Sequence, residues 1–76
     1  MATKWVNLEK EKWVKVADGS CTIQKQNGVN IKVYIGTDEP NDISPYGYWN
    51  YGEFQYGGTD SIYMKAPENL RVTVFS

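Results

Sequence analysis

The sequence contains no histidine and a single cysteine, Cys21. No intrachain disulfide can form, and one thiolate falls short of the roughly four nitrogen or sulfur ligands of a structural zinc site. Without histidine, neither a Ser-His nor a Cys-His nucleophile pair can be built, and the commonest general base is missing. No apolar run approaches the roughly 18–20 residues of a membrane span. Residues 1–11 carry no apolar core of a secretory signal, so synthesis in a cytoplasm, with no membrane partner, is the expectation.

What remains is short: 76 residues, room for one domain over 1–76. Area scaling gives roughly 4,700 Å² folded against roughly 12,600 Å² unfolded, so only about 60% of the surface is buried. Total stability on that scale is about 4–11 kcal/mol. With disulfide and metal excluded, subunit association is the natural source of further stability. The 41% hydrophobic and 22% charged composition is that of a globular chain.

Net charge is −1, unevenly spread. Residues 1–36 hold six lysines against Glu9, Glu11 and Asp18, a net of +3; residues 37–76 hold Lys65 and Arg71 against six acids, a net of −4. Either the halves interleave and the asymmetry averages out, or copies assemble head to tail through opposed charge.

Short alternating apolar runs separated by turn residues predict an all-β domain. Trp13–Ala17 reads as a strand with Val14 and Val16 on one face, closed by Asp18-Gly19. Cys21–Gln26 follows with Cys21 and Ile23 inward, then Asn27-Gly28, a strong hairpin signal. Ile31–Gly36 places Ile31, Val33 and Ile35 opposite Lys32 and Tyr34. Residues 37–45 are a loop by composition. Two short strands are expected around Gly52, another over Ser61–Ala66, and a last over Leu70–Phe75. Residues 1–11 read as an extended arm or an edge strand. The expectation is an antiparallel sandwich or barrel of six to seven short strands.

Chemistry-bearing groupings are sparse. Asp38, Glu39 and Asp42 have oxygen ligands of the kind Ca²⁺ takes, but in no EF-hand spacing, so a solvated loop is the plain reading. The scattered acids lie in turns of a fold too small for a deep cleft. No enzyme activity, cofactor or metal is expected.

The segment Tyr46–Tyr56 is the anomaly. Six of its eleven residues are aromatic, against 14% overall. Aromatic rings fill small cores, anchor protein interfaces or stack on sugars and bases. Period-2 geometry splits the run between two faces, so the rings cannot all line one site. The segment holds no lysine or arginine, and the acidic balance weakens the counterion-release term, so nucleic acid is not an expected partner. The residues proposed from sequence for an interface are Trp5, Trp13, Tyr46, Tyr48, Trp49, Tyr51, Phe54 and Tyr56.

Residues 21–76 also carry a pattern. Thr22-Ile23-Gln24 opens a strand, and Asn27-Gly28 turns. Ile31-Lys32-Val33-Tyr34-Ile35-Gly36 leads into a loop of acids and prolines. Gly52-Glu53 makes a further turn, Ser61–Ala66 precedes another, and a valine strand closes the run. In order and spacing this resembles small all-β virion structural proteins of tailed bacteriophages, of the head-decoration, head-fibre or tail-attached type. The resemblance implies a non-enzymatic structural protein of the virion, working as a homo-oligomer such as a trimer and with other virion proteins. The aromatic run and the longer N-terminal segment depart from the family pattern. The alternative function is a carbohydrate-binding module stacking glycans on Trp49 and nearby tyrosines.

Overall fold

The computed structural model describes residues 2–25 and 28–76. The described chain is all β, with strands β1 (Thr3–Leu8), β2 (Trp13–Asp18), β3 (Cys21–Gln24), β4 (Ile31–Gly36), β5 (Gly47–Trp49), β6 (Phe54–Tyr56), β7 (Ser61–Lys65) and β8 (Leu70–Phe75). They form two antiparallel four-stranded sheets, ordered β1-β8-β3-β6 and β2-β7-β4-β5. The architecture is therefore a two-sheet sandwich, with eight strands where six to seven were expected.

The extra strand is β1. Its local sequence is ambiguous between helical spacing and extended chain. Pairing with β8 decides the matter, in register from Thr3↔Phe75 to Leu8↔Leu70. That contact is tertiary, between segments far apart in the sequence, and no local pattern encodes it.

The pairings have one logic. β1 pairs with β8, β2 with β7, β3 with β6, and β4 with β5. The chain is one long antiparallel hairpin whose tip is the 37–46 loop. The hairpin then rolls, so that β8 also meets β3 and β7 also meets β4. Every connection except β4–β5 crosses between sheets. This is the strand order of an eight-stranded jelly roll. The roll lays the two halves of the chain side by side in both sheets, so the lengthwise charge asymmetry does not become two oppositely charged ends. It also brings Ala2 and Ser76 together through paired backbone hydrogen bonds of 2.6 and 2.9 Å.

The hairpin expected at Asn27-Gly28 falls partly on Asn27, outside the described residues. The strands on either side, β3 and β4, lie in different sheets and do not pair.

Between the sheets, alternation delivers the inward residues. Leu8, Ile23, Ile31, Ile62, Met64, Val72 and Val74 are all at most 1% exposed, each worth about 1.5–3 kcal/mol against exposure. Cys21 lies among them as a buried free thiol, and burial raises its pKa. One expected alternation fails: a bulge between Lys15 and Ala17 inserts Val16, so Val16 and Ala17 are both buried. The bulge also disrupts the free edge of β2.

Candidate functional site

The eight aromatic residues singled out from sequence do not form one site. Trp49 is the inward residue of β5, 6% exposed, with its ring 5.8 Å from that of Phe54. The Lys25 ammonium stands 5.2 Å from the Trp49 ring centroid and donates to the Asn50 carbonyl, covering the ring from outside. Phe54 and Tyr56, on β6, pack against the same core. The Tyr56 hydroxyl accepts the Asp60 N–H at 3.0 Å. Its ring lies where a Cβ on Gly58 would stand. These three residues are core, so a glycan platform centred on Trp49 is corrected: the ring has no free face on which a sugar could stack.

Trp5, Tyr46, Tyr48 and Tyr51 are exposed, and Trp13 is half-buried. They occupy separate places. Trp5 lies on the outer face of β1, with the Arg71 guanidinium stacked 3.7 Å from its ring centroid. Tyr51 stands in the turn between β5 and β6, at one end of the sandwich. Trp13, Tyr46 and Tyr48 share the outer face of the β2-β7-β4-β5 sheet with two further rings, Tyr34 and Tyr63.

That outer face is built rung by rung. One rung reads Trp13, Lys65, Lys32, Tyr48 across the four strands. The next reads Lys15, Tyr63, Tyr34. The rings touch: Trp13 and Tyr34 have centroids 6.3 Å apart, Tyr34 and Tyr63 6.2 Å, Tyr46 and Tyr48 5.5 Å edge to face. Such pairs add about 0.5–1.5 kcal/mol beyond area burial. The Lys32 ammonium lies 4.7 Å from the Tyr46 ring centroid, and Lys65 lies 5.8 Å from that of Trp13. Tyr34 leans along β4 over Gly36, where an added Cβ would come within 2.8 Å of its hydroxyl.

The electrostatics divide along the same rungs. Lys15 pairs with Asp18 at 3.1 Å. The Ser61 hydroxyl donates to Asp18 at 2.5 Å. That hydrogen bond, then the lysine, holds the Asp18 pKa below its ordinary value, and Asp18 in turn raises that of Lys15. The Tyr46 hydroxyl raises the pKa of Tyr48. Lys32 and Lys65 stand directly opposite one another, and neither forms an ion pair among the described residues.

Beside them, toward the end of the sandwich, opens a cleft of about 280 Å³ lined by Glu11, Asn30, Lys32, Tyr48, Lys65 and Pro67, with Ala66 at its base. Glu11 is the one non-glycine residue in the left-handed region among those described, at φ 57°. Its N–H donates to the Ala66 carbonyl at 2.8 Å, which fixes the turn over the cleft.

Among the described residues there is no group of three or more histidine, cysteine, aspartate or glutamate side chains able to hold a metal, and no helix long and apolar enough to cross a membrane. Comparison with protein-family models, with curated proteins and with solved structures returns no match.

Sequence reasoning did not join the lysines to these rings, because the members of this face come from four strands. The aromatic run has no lysine of its own; the lysines arrive from β2, β4 and β7. The available signal was the outward set Lys32/Tyr34 and Tyr63/Lys65 in two strongly alternating strands.

Proposed function

We propose that this chain is a non-enzymatic structural domain of a bacteriophage particle, decorating the capsid or associated with a tail or fibre. It acts through assembly with copies of itself and with other virion proteins. The observation that carries the assembly reading is the state of the four sheet edges. β5 and β6 are three residues long, and β2 is bulged; short and bulged edges resist pairing with another chain. β1 is six residues long, regular, and exposed over most of its length. It carries Trp5, 65% exposed, beside Arg71.

Trp and Arg are the residue types that most often anchor interfaces. A regular free edge offers backbone donors and acceptors for strand addition. The particle reading is supported by the resemblance of residues 21–76. It is supported by analogy alone from the jelly-roll strand order, which capsid domains share with lectins and cupins.

The test is solution mass by size-exclusion chromatography with light scattering over a concentration series. The expected result is a multiple of 8.7 kDa that falls to the monomer in Trp5→Glu and is unchanged in Tyr48→Ala. A monomer at every concentration, or a Trp5→Glu variant with unaltered mass, overturns the proposal.

A further inference from the structure

We propose that the cleft between Glu11 and the Lys32–Lys65 pair binds an acidic saccharide: a pyranose whose carboxylate bridges the two ammonium groups. The inference goes beyond assembly and uses a different surface, since the β1 edge belongs to the other sheet.

The first argument is charge. Lys32 and Lys65 are directly opposed across β4 and β7. Like charges in that position, about 5 Å apart at their Cβ atoms, destabilise a sheet. Here the repulsion is met by drawing each ammonium sideways onto a ring, Lys32 to Tyr46 and Lys65 to Trp13. A carboxylate placed between them supplies the compensation that the described residues lack. A carboxylate accepting from both draws the ammonium groups back from their rings toward one another, and charge-assisted hydrogen bonds of this kind are roughly twice as strong as neutral ones.

The second argument is what surrounds the cations. Tyr48, 63% exposed, continues the same rung and offers a ring to the C–H face of a pyranose. Glu11 and Asn30 line the same cleft. A carboxylate and an amide at the rim suit hydroxyl groups, which donate and accept in turn. The volume, about 280 Å³, lies at the lower end of small-molecule sites and suits one sugar ring.

The same composition disfavours a nucleic-acid strand. A strand presents a phosphate at each nucleotide, whereas this face has two lysines without an ion pair among the described residues, Glu11 beside them, and a chain net charge of −1. A sugar with one carboxylate asks for one cationic pair, and one is present. Glu11 is also held in a left-handed conformation. Side chains rarely adopt that conformation, and residues held in it cluster at binding sites.

The test is an NMR titration of the full chain with trigalacturonate, a hyaluronan tetrasaccharide and sialyllactose. Controls are the methyl ester of trigalacturonate, lactose, and a short oligothymidylate. The expected result is saturable shifts at Lys32, Tyr48, Lys65 and the Trp13 indole with at least one acidic sugar. Affinity should fall at least tenfold for the uncharged counterpart and at least tenfold in Lys32→Gln/Lys65→Gln, whose fold is checked in the same spectra. Trp5→Glu should bind as the wild type does, which separates this site from assembly. The proposal is overturned by no shifts with any acidic sugar at 10-fold millimolar excess, by equal binding of the neutral counterparts, or by tighter binding of the oligothymidylate at this face.

Discussion

The two outer faces of this sandwich share a backbone plan and differ in chemistry. On the β1-β8-β3-β6 sheet the rungs read Trp5, Thr73, Gln24 and Thr3, Phe75, Thr22, Gln55. Threonine and amide side chains surround a single Phe75 on the pleat, and the one guanidinium is stacked on the one tryptophan. On the β2-β7-β4-β5 sheet the rungs read Trp13, Lys65, Lys32, Tyr48 and Lys15, Tyr63, Tyr34. There the rings pack on one another, and Tyr63 is only 9% exposed although it faces outward. One face is a polar cover with its anchor at a free edge. The other is a second, smaller layer of packing with cations set into it. In a chain this small, an outer face can supply both stability and recognition.

The sharpest way to break the comparison lies within β5, where Tyr48 faces out and Trp49 faces in. Trp49→Ala should cost about 3–5 kcal/mol, a large share of a total of about 4–11 kcal/mol. Tyr48→Ala should cost only about 0.5–1.5 kcal/mol, the worth of its edge-to-face contact with Tyr46. Urea denaturation measures both, and equal losses would mean that the two sides of the sheet are not distinct.

A smaller effect sharpens the contrast between the faces. Tyr63→Ala should destabilise by about 2–3 kcal/mol, because an outward ring here is nearly as buried as a core side chain. Thr73→Ala, on the other face, should change stability by less than about 0.5 kcal/mol. A Tyr63→Ala protein with wild-type stability would show that the aromatic layer contributes recognition alone.

The smallest effect is electrostatic. The Asp18 pKa is held below 3.8, first by Ser61 and then by Lys15. A depressed carboxylate stabilises the fold above its unfolded pKa, and the contribution is lost as pH falls through the folded pKa. The thermal midpoint should therefore decline on acidification below about pH 4, and Asp18→Asn should flatten part of that limb. Lys15 shifts upward, so its share is lost only in strong alkali. Both groups are exposed, and the expected change is a small one. An unchanged acid limb in Asp18→Asn would remove this pair from the account of the face.

Much of the sandwich was legible in single strands. Ile31, Val33, Ile62, Met64, Val72 and Val74 alternate cleanly, and all are buried as that alternation implies. Assignments that needed a partner strand were not legible. Trp5 lies in a paired edge strand rather than a free arm because β8 pairs with it, and β3 and β4 lie in different sheets because β4 binds β5 and β7. The burial of Trp49 beside the exposure of Tyr48 follows from period 2, but which of the two faces inward depends on the sheet behind them. The lysine–aromatic face was the least legible, since four strands contribute to it and no single segment contains both halves of its chemistry.

The rolled hairpin has a consequence in time. β1 is made before every other described strand, and its partner β8 is made after them all. At about 5–20 residues per second, the first strand waits roughly 3–14 s for its mate to be synthesised. Neither sheet can close meanwhile, because β8 and β7 are central strands. Pairings between such distant segments also form slowly once the chain is whole. Through that interval, nascent chains on neighbouring ribosomes hold the same unpaired tryptophan-bearing strand. The order of synthesis thus gives copies of this protein an early opportunity to meet along the strand through which the finished domain is proposed to assemble.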